Sequence, residues 1–366
     1  MSASRSAGEN PWQPGQLLMV GFPGTTLPAD LAQRIAEGRV GGIALFRRNV
    51  ESPEQLRTLL SDIYSHAPKG NPPLIALDQE GGRVQRLREP WTRWPAMAEV
   101  AERATPEQLE QLAAALATEC KDAGFSLNFA PVVDVNSNPD NPVIGDRAFG
   151  VEPVGVSEHT ARFVRAHQKA GLAACAKHFP GHGDADVDSH LDLPRLDHDL
   201  DRLRKIDWPP FKAVIEAEVA SIMSAHILFT KLDAKRPATM SPEVMGLLRS
   251  ELEYEGLVIT DDLEMGAIAK HYGPRDRALL PLEAGCDVVL VCHSADLREE
   301  MLGYLEKAPD TLVEHSLERL VAFKKQWAMS SVPEIVGGPP YGEHLALAKA
   351  LGWESPVTKD PTAYKG

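Results

Sequence analysis

Eight short apolar runs, each bounded by Gly, Pro or Asp, punctuate the chain: LLMVGF (17–22), GGIALF (41–46), PLIALD (73–78), SLNFAPVVDV (126–135), ACAKHF (174–179), SIMSAHI (221–227), LVITDD (257–262) and VVLVC (288–292). They have strand length, and most lack polar alternation, which predicts parallel strands covered on both faces. Between them the apolar positions recur with helical period. Ser52-Pro53-Glu54-Gln55, Thr105-Pro106-Glu107-Gln108 and Ser241-Pro242-Glu243 each combine a hydroxyl cap, a proline at the first helical position and an acid in the first turn, so each predicts a helix start. After the second of these, Leu109, Leu112, Leu116 and Cys120 mark one helical face, and Gly124 ends the run before the next strand.

Eight strands alternating with helices over residues 15–327 predict a closed (β/α)8 TIM barrel folded as one α/β domain. A doubly wound open sheet shows the same local alternation; the count and regularity favour the barrel. Residues 1–14 read as an N-terminal arm, and 328–366 as a Pro- and Gly-rich tail with one helical stretch from His344 to Leu351.

Charge narrows the set of partners. The 366 residues include 38 basic and 52 acidic side chains, a net charge of −14 that repels nucleic-acid backbones and anionic membranes. No run approaches the roughly 18 apolar residues of a membrane span, and the first sixteen residues lack the apolar core of a secretory signal. Cys120, Cys175, Cys286 and Cys292 form no CxxC pair, and three of them lie in apolar segments, as reduced structural cysteines do. The expectation is a cytoplasmic protein, monomeric, acting on a small molecule.

In a barrel the working face is the C-terminal end of the strands, so polar residues closing apolar strands come first. The third strand ends at Asp78, the fifth at Lys177-His178 and the seventh at Asp261-Asp262. A single such acid is usually a cap or ion-pair partner, but several ionisable groups converging on one face cost too much to bury without a functional return. The densest segment follows strand five, where His178, His182, Asp184, Asp186, Asp188 and His190 crowd together. Asp184-x-Asp186-x-Asp188 imitates a calcium loop, but Ser189 and Arg195 stand where that loop needs Gly and Glu. A zinc-type site from His178, His182, His190 and Asp261 is one remaining reading. The other pairs Asp188 with His190 as an acid/base catalyst and leaves Asp261 as an ionised nucleophile on a rigid strand, which needs neither metal nor cofactor.

KHFPGHG followed by DADVDSH (177–190), DQEGGRVQRL (78–87), GDRAFG (145–150) and LVITDD together resemble family 3 glycoside hydrolases, in their single-domain β-N-acetylglucosaminidase branch. The resemblance spans about residues 15–326. It implies a (β/α)8 barrel that removes terminal N-acetylglucosamine with retention of configuration, without a cofactor and, by analogy, from muropeptide fragments of the cell wall. It implies Asp261 as nucleophile, since the family's nucleophile directly follows Ser or Thr and Thr260 precedes Asp261, with His190 as acid/base and Asp188 as its partner. Asp78, Arg86, Arg147, Lys177 and His178 are implied to hold the sugar; surface ion pairs are the plainer reading of the two arginines. Strand alternation sends Asp262 away from the pocket. Glu264 departs from the family, which has a small residue there. The loop carrying His190, with Gly181 and Gly183, is expected to move. Related enzymes cleave plain β-glucosides or use phosphate as acceptor, and an inactive sugar-binding barrel is the alternative from another class.

Overall fold

The computed structural model describes residues 12–334, 338–352, 360 and 362. Eight parallel strands form the barrel: β1 (Leu18–Val20), β2 (Gly42–Leu45), β3 (Leu74–Leu77), β4 (Leu127–Asn128), β5 (Ala173–Phe179), β6 (Ser221–Ser224), β7 (Leu257–Asp262) and β8 (Val288–Val291). Each pairs with its sequence neighbours, and β8 pairs with β1 through Leu18–Val289 and Val20–Val291, so the sheet closes. That last pairing separates a barrel from an open doubly wound sheet, which no local pattern can do.

All eight strands lie where the apolar runs predicted them, and their residues are buried apart from the last two of β7. The fourth is shorter than its run. Pro131 has no N–H to give a ladder, and beyond Asn128 only a single bridge, Val132 to Lys177, continues the pairing.

The outer ring consists of α1 (Ala29–Ala36), α2 (Pro53–Ser65), α3 (Pro106–Ala123), α4 (Pro153–Lys169), α5 (Trp208–Glu216), α6 (Pro242–Ser250), α7 (Pro274–Ala284) and α8 (Ala295–Leu305), followed by α9 (Asp310–Trp327). The three predicted starts are N-caps. Ser52 accepts from the Gln55 amide, Thr105 and Gln108 form a reciprocal capping box, and Ser241 accepts from the Val244 amide. Leu109, Leu112, Leu116 and Cys120 are buried, and Gly124 closes α3 in the left-handed conformation at φ 107°. All four cysteines are free and buried.

The expected arm over 1–14 lies mostly outside the described residues. The tail's helix, α10, spans Gly342–Ala350. It packs back onto α3, where His344 pairs with buried Glu119 at 2.8 Å, Tyr341 donates to Asp122, and Ala348 and Leu351 are fully covered. No helix among the described residues is long and apolar enough to cross a membrane.

Candidate active site

A cavity of about 280 Å³ opens at the C-terminal ends of the strands, with Asp78, Arg86, Arg147, Lys177, His178, His190 and Asp261 in its lining. Asp188 sits directly behind His190. The eight residues singled out from the sequence therefore meet at one place, although β3, which Asp78 directly follows, and β7, which carries Asp261, lie on opposite sides of the barrel.

Local chain geometry explains how Arg86 reaches Asp78. After β3 the chain makes a hairpin, Gln79–Gly81 against Val84–Gln85, whose turn places Gly81 and Gly82 at φ 105° and 55°, a region closed to most side chains. The Gln79 side chain accepts from the Arg86 and Leu87 amides, clamping the return strand. Arg86 Nη2 then donates to Asp78 at 2.8 Å.

This pair belongs to a buried ionic network. Lys177 Nζ contacts Asp78 at 2.8 Å and Glu80 at 2.5 Å, and Arg147 grips Glu80 with two donors at 2.8 and 2.9 Å. Arg86 and Arg147 are 2% and 4% exposed, so the surface-pair reading of these arginines is wrong. Burial alone would raise the carboxyl pKa values, but Lys177 and Arg86 hold Asp78, and Arg147 and Lys177 hold Glu80, below the usual carboxylate range.

Two strands break register where they carry chemistry. β5 shifts against β6 between Lys177 and Phe179, and β7 shifts against β8 between Ile259 and Asp262. Such irregularities re-aim side chains, which is why the adjacent residues Lys177 and His178 both line the cavity. Asp261 and Asp262 both border the cavity, and the Asp262 carboxylate turns to the loops beyond the strands, accepting from the Glu264 amide at 3.1 Å with His293 Nε2 at 3.5 Å. The two aspartates differ in charge state. Asp261 accepts from the Asp262 amide at 2.8 Å, and His226, His178 and His190 outweigh the effect of burial to lower its pKa. Burial, reinforced by Glu264, pushes Asp262 up to about 8, so it is protonated at neutral pH.

His178 Nδ1 donates to Asp134 at 2.7 Å, which leaves Nε2 as the free ring nitrogen. His190 Nδ1 donates to Asp188 at 2.8 Å with the same consequence. The loop carrying His190 is seated on its surroundings. His182 shares a hydrogen bond with Ser189, its amide donates to Asp134, and the Gly266 and Ala267 amides donate to the His190 and Ser189 carbonyls. Burial, then His178, pushes His182 down to about 4, so its ring is neutral. Gly183 supplies close approach instead of the freedom expected of it, since a Cβ there would overlap the Val135 carbonyl. Glu264, the family departure, bridges to the next loop by accepting from the His293 and Ser294 amides at the start of α8.

Glu80, Asp134, His226 and Glu264 are site residues that the sequence reading did not assign. Asp134 is the one acid near the end of its apolar run and could have been found by that signal; Glu80 carries no such mark. Among the described residues no group of three or more His, Cys, Asp or Glu side chains is arranged to hold a metal ion.

A closed barrel with a polar cavity at the strand C-termini has the layout of a barrel enzyme. The chain belongs to glycosyl hydrolase family 3, whose N-terminal domain matches residues 13–322, and it is a glycosidase. It is 42% identical over 311 residues to a β-hexosaminidase of Alkalilimnicola ehrlichii, covering 83% of this chain and 88% of that one. It is 36% identical to β-hexosaminidase A of Pseudoalteromonas piscicida, covering 92% of this chain but only 62% of that longer protein. Among solved structures it resembles NagZ from Neisseria gonorrhoeae in complex with N-trifluoroacetyl-D-glucosamine, with TM-score 0.80, 32% identity and coverage of 93% and 98%.

Proposed function

We propose that this protein is a retaining exo-β-N-acetylglucosaminidase that acts as a cytoplasmic monomer on terminal N-acetylglucosamine, with cell-wall muropeptide fragments as the physiological substrate. The observation that carries this reading is the meeting of an ionised aspartate, Asp261, and an aspartate-backed imidazole, His190, in one small cavity. The β-hexosaminidase names of the relatives support the choice of sugar.

In this mechanism His190 gives its Nε2 proton to the glycosidic oxygen while an Asp261 oxygen attacks the anomeric carbon. The C1–O bond breaks, the aglycone leaves as an alcohol, and the sugar is held as an ester on Asp261. Water then attacks the anomeric carbon, gives a proton back to His190 and releases Asp261. Two inversions amount to retention. An imidazole next to the nucleophile avoids the repulsion that a second carboxylate would bring. Asp78, Arg86, Arg147, Lys177 and His178 hold the sugar hydroxyls and the acetamido group.

The direct test follows a chromogenic N-acetyl-β-glucosaminide and the matching β-glucoside with EDTA present, with and without phosphate, and reads the first-formed anomer by NMR. The expected result is EDTA-resistant release from the N-acetyl substrate only, with the β-hemiacetal formed first. Inhibition by EDTA, an α-anomer, or a glycosyl phosphate product would each refute part of the assignment.

The seat of the acid/base loop gives a second expectation. A Cβ on Gly266 would press on the His190 and Leu191 carbonyls, so Gly266→Ala should displace the imidazole. Since a shift of about 1 Å can cost on the order of 10² in rate, kcat/KM should fall by that order while the thermal melt changes by only about 1–2 °C, a loss near 1 kcal/mol for a chain of this length. Unchanged kinetics would show that the loop does not need this seat.

A further inference from the structure

The tail reaches the cavity. Arg86 Nη1 contacts the Asp360 carboxylate at 2.5 Å, and Arg86 Nη2 donates to the Thr362 hydroxyl at 2.8 Å. Thr362 in turn donates through its amide and hydroxyl to Asp360 and stands in the cavity lining. Arg86 is buried and Asp360 partly so, with side chains 2% and 11% exposed.

Charge and position give this contact a role. The network described above joins the cations Arg86, Arg147 and Lys177 to only two carboxylates, Asp78 and Glu80; Asp360 is the third and brings the cluster to neutrality. Strands β3 and β7 are four apart in the ring of eight and so face each other across the mouth. A pyranose whose anomeric carbon meets Asp261 therefore turns its opposite edge toward Asp78, Arg86 and the tail. The cavity stays open at about 280 Å³ with Thr362 in its wall, so Thr362 bounds the space and does not fill it. That volume lies just below the roughly 300–1,000 Å³ of small-molecule sites and suits one ring better than a chain.

We infer that Asp360 and Thr362 form the end wall of the sugar pocket and determine its specificity for an unextended terminal sugar. Resting on the glycosidase reading above, this assigns the exo character of the reaction to the tail, acting through Arg86. A sugar bearing a further residue on its far edge collides with this wall, while a terminal sugar is held by an Arg86 that Asp360 keeps in place.

The test uses the full chain, with Asp360→Ala, Asp360→Asn and Thr362→Ala as variants, and a chain ending at Gly352. Calorimetry with N-acetylglucosamine reads binding without turnover, and thermal melts verify folding. Chromogenic N-acetyl-β-glucosaminide gives kcat and KM, and the chromogenic β-chitobioside reports whether an intact disaccharide is released. Because hydrogen bonds to charged groups are worth about 1.5–3 kcal/mol, Asp360→Ala should weaken sugar binding and raise KM about tenfold or more, with kcat little changed. The shortened chain should release chitobiose directly, without the lag that sequential removal produces in the wild type. Unchanged binding and product pattern in folded variants overturn the inference, and so does a rise in kcat/KM on shortening, which would mark the tail as a plug. A wild type that binds the sugar without cleaving it refutes the enzymatic reading, and the binding of the variants still decides the role of the wall. Absence of both binding and cleavage in the wild type refutes both.

Discussion

Asp261→Asn should lower kcat/KM on the chromogenic N-acetyl-β-glucosaminide by at least about 10⁴-fold, the scale seen when a covalent nucleophile is removed, whereas Asp262→Asn should cost less than about tenfold. The contrast follows from charge. Asn is close in shape to a protonated Asp, so it mimics the state in which Asp262 already exists below about pH 8 and abolishes the ionised state that Asp261 needs. Equal losses in the two variants would mean that the roles are shared or reversed. A stability measurement checks the charge state independently. The native state keeps the Asp262 proton up to about pH 8, while an unfolded Asp loses it near 3.9. Within that window the native state binds more protons than the unfolded one, so this residue's contribution declines as pH rises. Urea melts at pH 5 and pH 8 should show a smaller decline for Asp262→Asn than for the wild type.

His190→Ala should reduce kcat/KM by about 10²–10⁴-fold on substrates with poor leaving groups, the range for a general acid/base. The loss should shrink on aryl glycosides whose leaving groups depart without a proton. With such substrates the glycosyl-enzyme accumulates, and added azide should restore turnover and give the β-glycosyl azide, a product that a merely structural histidine would not yield. Asp188→Asn removes the carboxylate that accepts from Nδ1 at 2.8 Å, so it should show a milder form of the same pattern. A uniform loss across all leaving groups, with no azide product, would remove His190 from proton transfer.

Strand and helix positions were legible because their causes are short-ranged. Burial on both faces makes each barrel strand a continuous apolar run, and the Ser52, Thr105 and Ser241 caps act on amides three residues ahead. The positions of the candidate catalytic residues were legible for a related reason: an acid or base that ends an apolar strand of a barrel must emerge at its mouth, as Asp78, Lys177 and Asp261 do.

What surrounds those residues was decided only by tertiary structure. Asp134 and His178 are 44 positions apart, Glu80 and Arg147 are 67 apart, and Arg86 and Asp360 are 274 apart. No periodicity or local propensity reaches over such distances, and these partners meet only once the barrel has closed and the tail has returned to its mouth. The register shifts at Lys177–Phe179 and Ile259–Asp262 belong to the same class, because a bulge exists only in relation to the neighbouring strand. The chain by itself thus determined which residues stand at the strand ends, through burial and local hydrogen bonding. Their orientation, their charge state and the wall they face were set by long-range packing, since desolvation and Coulomb interaction depend on which groups the closed barrel brings within a few ångströms of one another.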